Sequence, residues 1–157
     1  MLLLVLVALM LMALACCPKK CHRSSAERAV EHICGQLRSS AKLGELLGEV
    51  QRTWQIKPSG TQSRTSFDER TIWLIVLRPN GQRYDDITLL CVLLHELAHV
   101  VTQSGQHDTA FFEMEQYLQS LAQLELLLPP GDPTEYIDTS YPAVILDSEE
   151  AGSRRSQ

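Results

Sequence analysis

Residues 87–103 read ITLLCVLLHELAHVVTQ, and the fold turns on how this stretch is read. Its apolar residues fall on nearly every side of a helical wheel, the pattern of a helix buried in the middle of a domain. Asp85 and Asp86 stand just before it as an N-cap region, and Gly105 follows as a stop. A helix is therefore expected from about Ile87 to Gln103. In this oily segment sit His95, Glu96 and His99. Buried ionisable groups need partners, so these three demand an account.

His95-Glu96-Leu97-Ala98-His99 is the pattern H-E-x-x-H. Positions i and i+4 of a helix share one face, one turn apart. Two imidazoles so placed can reach a single zinc ion at about 2.0–2.1 Å. Glu96, beside the first ligand, points slightly off the metal axis and is placed as a general base toward water rather than as a ligand. From this chain's own His and Glu content, chance produces the pattern on the order of 1 % of the time. The bland alternative is a pair of core histidines satisfied by backbone carbonyls.

A catalytic zinc site takes a third protein ligand and keeps a fourth position open. His107 lies just past Gly105, where the chain turns and can swing back to the metal. Glu113 and Glu115 on the next helix are the fallback ligands, and Asp108 is a candidate to hydrogen-bond a ligand histidine. Cys91, one turn before His95, would close the site as a fourth ligand and make it structural. His22 and His32 are too distant in sequence to assign. Tyr117, Tyr136 and Tyr141 are equal candidates for stabilising an oxyanion.

Upstream, Thr71–Arg78 (TIWLIVLR) is the clearest strand, stopped by the turn signal Pro79-Asn80-Gly81. Thr53–Lys57 (TWQIK) reads as a short strand, and residues 58–66, rich in Ser, Thr, Gly and Pro, as a loop. Ser24–Gln51 carries apolar residues at three- and four-residue steps, with Gly35 and Ser39-Ser40 dividing it into two helices. Downstream, a helix is expected from Asp108 to Leu127, with Phe111, Met114, Leu118 and Leu121 on one face, broken by Pro129-Pro130-Gly131. Residues 134–146 read as an ordered, packed tail and residues 147–157 as a disordered polar end. The whole is an α+β domain spanning residues 25–146.

Before it stands Met1–Cys17, MLLLVLVALMLMALACC, without a charge or a helix breaker. A spanning helix needs about 20 apolar residues, with about 17 as the lower limit. A single-pass anchor is the expectation, followed by a basic linker at residues 18–24. Lys19, Lys20 and Arg23 all follow the run, which puts the C-terminal side in the cytosol. The alternative is a cleaved signal ending at Ala13-Leu14-Ala15, with a secreted or lumenal domain. Cys16 and Cys17 are either palmitoylation sites at the membrane edge or ordinary apolar filler. The chain has five cysteines in all, an odd count that makes a poor disulfide framework. Cys34 and Cys91 read as buried free thiols, which favours a reducing compartment. The net charge is -5 over 157 residues with both signs scattered, so no direct nucleic-acid partner is expected.

The strand TIWLIVLRPNG, then Tyr84-Asp85-Asp86, then LLHELAHVVTQSGQHDTAFF, together resemble the WLM and SprT-like zinc metallopeptidases. The likeness runs in particular to small predicted metallopeptidases encoded by large DNA viruses. It covers residues 71–121 strongly and the segment to Leu146 weakly. The resemblance implies a zincin-like fold with one zinc per chain on His95, His99 and His107, and Glu96 as catalytic base. It also implies a polypeptide substrate paired along an edge strand beside the active helix, for which Thr71–Arg78 is the candidate. His107 and Phe111 keep the family's interval, but Gln106 intervenes between Gly105 and His107, and Phe112 stands where tryptophan is common. The functional expectation is a membrane-anchored zinc metallopeptidase. Its rival is a catalytically inactive zinc-binding membrane scaffold on the same fold.

Overall fold

The computed structural model describes residues 23–142. The expected anchor at 1–17, most of the linker at 18–24, and the polar end at 147–157 lie outside the described residues. Among the described residues, no helix is long and apolar enough to cross a membrane.

Helix α1 (Ser25–Ser39) begins at a capping box: the Ser24 hydroxyl accepts from the Glu27 amide, and the Glu27 carboxylate accepts from the Ser24 amide. Its Ala29, Val30, Ile33, Cys34 and Leu37 are buried along one face. The chain breaks at Ser40, not at Gly35. Ser40 is extended, and its hydroxyl at once accepts from the Leu43 amide as N-cap of α2 (Ala41–Gln51). The tight corner needs a glycine one turn later: a Cβ on Gly44 would lie 2.9 Å from the Arg38 carbonyl oxygen.

Three strands form one small sheet in the order β1-β3-β2: β1 (Gln55–Ser59), β2 (Arg64–Ser66) and β3 (Thr71–Ile75). β1 pairs parallel with β3 and β2 pairs antiparallel with it. The aliphatic stretch is therefore the centre of the sheet, which corrects the expectation that residues 71–78 form a free edge. Both sides of β3 are occupied because its Ile72, Leu74 and Ile75 are the residues worth burying. The edge beside the helix that carries His95 and His99 is β2, inside the segment expected to be a loop. The strand also ends earlier, at Ile75; Leu77 makes one isolated antiparallel bridge to Arg83 around Gly81, whose φ is 81°.

The central helix α3 runs over Asp86–Thr102, capped by Asp85, whose carboxylate accepts from the Thr88 amide. Every residue from Thr88 to Val100 is buried. α3 packs on α4 (Thr109–Leu124), on β2 and β3, on α1 and on the short 3-10 turn Pro133–Tyr136. Gln103, not Gly105, ends α3, in the left-handed region at φ 53°.

The tail is ordered as expected as far as residue 142, and 143–146 lie outside the described residues. Arg78 pairs with Asp138, and Thr88 Oγ1 accepts from the Asp138 amide. Tyr141 is buried and closes a ring of hydrogen bonds. The Ile75 amide donates to Ser63 Oγ, Ser63 Oγ lies 2.6 Å from the Tyr141 hydroxyl, and that hydroxyl donates to the Ile75 carbonyl. This ring fastens the chain entering β2 to the end of β3.

Gly44→Ala is expected to destabilise the protein by about 1–3 kcal/mol, because backbone cannot yield as a flexible side chain would. Gly35→Ala, where a new Cβ meets nothing within 4 Å, is expected to stabilise by about 0.5–1 kcal/mol. Urea denaturation of the two variants checks both signs.

Candidate metal centre

α3 presents His95 and His99 one turn apart, 9 % and 7 % exposed, with their ring centroids 5.1 Å apart. His107, half-buried, comes from the loop between α3 and α4, its ring centroid 5.1 Å from His95 and 4.9 Å from His99. One nitrogen from each ring lies within 4.8 Å of the others, a group able to hold a metal ion. The Nε2 atoms of His95 and His107 are 3.3 Å apart. Two nitrogens bound tetrahedrally at zinc's usual bond length sit about 3.3 Å apart, so this pair is already at ligand spacing. Phe111 is the floor of the cluster, with its ring centroid 4.3 to 4.9 Å from all three imidazoles.

The rings are held from behind. His95 Nδ1 is 2.8 Å from Glu115 Oε1, one helical turn beyond Phe111 on α4. His99 Nδ1 is 2.8 Å from the Ser104 carbonyl oxygen, delivered by the left-handed turn at Gln103. Each contact commits Nδ1 as a donor and leaves Nε2 as the lone-pair nitrogen. The residues present therefore fit a divalent ion that takes imidazole ligands: three convergent nitrogens, two with their tautomer set.

Glu115 stands behind His95, not at the cluster. Glu113 is exposed, and Asp108 is the N-cap of α4, its carboxylate accepting from the Phe111 amide. Cys91 is buried outside the cluster, its thiol pushed up to about 12 by burial and then by nearby Asp85 and Glu115. Cys34 is also a buried free thiol, raised to about 11 mainly by burial. His32 pairs with Asp86 at the far end of α3. His22 lies outside the described residues. Of the tyrosines, Tyr117 is exposed, Tyr136 donates to the Pro130 carbonyl, and Tyr141 donates to the Ile75 carbonyl.

Glu96 is 3 % exposed. Its Oε2 accepts from Thr65 Oγ1 at 2.7 Å, a contact from β2 that sequence reading missed. Burial pushes its pKa above the ordinary 4.5; the Thr65 hydrogen bond and the charge of His95 pull the other way. Burial likewise holds His99 below the ordinary 6.5, helped by His95 and His107 against the pull of the Ser104 hydrogen bond. In front of the cluster lies a cleft of about 240 Å³ walled by β2 residues, Phe67 and Gly105.

No family model and no curated protein matches this sequence. Among solved structures, the chain is similar to the crystal structure of a Wss1 mutant from S. pombe, at 21 % identity and a TM-score of 0.49. The match covers 64 % of this chain and 90 % of that one. The likeness is partial, and the chemistry of the site rests on this chain's own geometry.

Glu115→Ala is expected to weaken metal binding about 10- to 100-fold by freeing the His95 ring; competition with a chromophoric chelator measures it. Titration of His99 should also cost the metal-free protein stability in acid. The unfolded chain takes up the His99 proton near pH 6.5 and the folded chain only below that. Stability from this group therefore falls as pH drops below 6.5 toward the folded value. Glu96 has the opposite sign, its contribution declining as pH rises above 4.5 toward its raised folded value. Thermal melts across pH 4–8 in a Glu96→Gln background isolate the His99 slope.

Proposed function

We propose that this chain is a zinc-dependent metallopeptidase, with His95, His99 and His107 as the ligands and Glu96 as general base. The observation that carries the reading is the convergence of three imidazole nitrogens beside a buried carboxylate, open to a cleft. A structural site has no use for a carboxylate at that position or for an open face.

Zinc held there would supply Lewis acidity, polarising a scissile carbonyl and making nearby water more acidic. Glu96 takes the proton of the attacking water and returns it to the departing amine. Glu115 and Ser104 keep His95 and His99 in one orientation while charge develops in front of them. The substrate is an extended polypeptide. β2, the edge strand walling the cleft, is the pairing partner in place of residues 71–78. Main-chain pairing along an edge gives affinity with little dependence on side chains.

The apolar run at 1–17 supports a further proposal, that the chain is membrane-anchored with its catalytic domain in the cytosol. Recovery of the full chain in the pellet after carbonate extraction is the expected result, and release into the supernatant refutes it.

Incubated with unfolded peptides, the zinc-loaded protein is expected to cleave them and to stop when a chelator is added. Glu96→Gln should retain zinc while losing cleavage by about 100-fold or more. Zinc retention with no cleavage by the unaltered protein selects the inactive scaffold instead.

A further inference from the structure

Thr65 stands on the middle of the three-residue strand β2 and lines the cleft. Its hydroxyl reaches two oxygens of the same residue: Glu96 Oε2 at 2.7 Å and the Glu96 backbone carbonyl at 3.1 Å. Among the described residues, Thr65 is the one residue of the sheet that hydrogen-bonds Glu96. The hydroxyl has little freedom. Threonine is branched at Cβ, which restricts χ1, and the backbone is set by pairing of Thr65 with Ile72. Just before it, Ser63 is locked into the ring with Ile75 and Tyr141. The oxygen donor is thus fixed by the sheet, independently of the helix that carries Glu96.

From this geometry we propose that Thr65 is the positioning residue for the general base. It ties down Oε2 and leaves Oε1 as the oxygen for proton transfer. A glutamate has three side-chain torsions, and neither neighbour on the apolar helix, His95 or Leu97, offers its carboxylate a hydroxyl. The constraint comes from across the chain. It also ties the base to the strand along which substrate would pair, so the same element aligns both reactants. The proposal rests on the metallopeptidase reading for its catalytic part and on the Thr65–Glu96 contact alone for its structural part.

The two parts are tested on the full chain with Thr65→Val and Thr65→Ser. The metal-free proteins are first melted in a double-mutant cycle of Thr65→Val with Glu96→Leu. Thr65→Val is expected to lower Tm in the unaltered background, where it strands a buried carboxylate oxygen, and to leave Tm unchanged or raise it in the Glu96→Leu background. Equal shifts in both backgrounds overturn the contact, whatever the enzyme does. Zinc content, measured in parallel, should be unaltered in both Thr65 variants. On peptide substrate, Thr65→Val should lower kcat about 10- to 100-fold with KM nearly unchanged, and Thr65→Ser should restore most of it. An unchanged kcat in Thr65→Val, or a loss that Thr65→Ser does not repair, overturns the positioning role. Intact coupling in the melts with no cleavage by the unaltered protein overturns the metallopeptidase reading, and the catalytic part with it, but leaves the contact standing.

Discussion

The desolvation of three ionisable side chains on one buried helix is the constraint around which this protein is built. His95, Glu96 and His99 lie within α3, where every residue from Thr88 to Val100 is buried. Taking such groups out of water is costly unless each polar atom is answered. The answers come from three different places. Glu115 of α4 meets His95, Ser104 of the loop after α3 meets His99, and Thr65 of β2 meets Glu96. The elements that flank α3 are those that supply these atoms, so packing and polar satisfaction are one problem here.

The sheet is small but serves two ends. Its central strand is aliphatic and closes the core against α3, while β2 turns a polar side chain toward Glu96. So short a strand would hold its register weakly if pairing were its only anchor. The ring through Ser63, Tyr141 and Ile75 supplies the rest, and it enlists the C-terminal tail. Tyr141 in turn stacks edge-on against Tyr84, at 4.8 Å between ring centroids, and Tyr84 donates to the Ser140 carbonyl. A segment with no catalytic group thereby steadies the wall of the cleft.

Burial favours the uncharged forms of two groups at the centre, His99 and Glu96. Burial lowers the proton affinity of His99 and raises that of Glu96. A neutral imidazole is what a metal needs as a ligand. A divalent cation beside Glu96 would then restore the charged carboxylate that burial alone disfavours.

Much of this was readable along the chain. The helix, its imidazole pair and the adjoining carboxylate follow from a period of 3.6 residues, a local property that needs no knowledge of neighbours. His107 was reachable because only a short loop separates it from His99. The capping residue Asp85 acts over three positions and is legible for the same reason. What only the tertiary structure decided are contacts between distant segments. β2 is a half-exposed Arg-Thr-Ser triplet without apolar alternation, so nothing local marks it as a strand. Its pairing displaced Thr71–Ile75 from the edge to the centre. Thr65 meets Glu96 across 31 positions and Glu115 meets His95 across 20. Such partners depend on how the layers stack, and stacking is set by the summed burial of the whole core, which no single stretch of sequence contains.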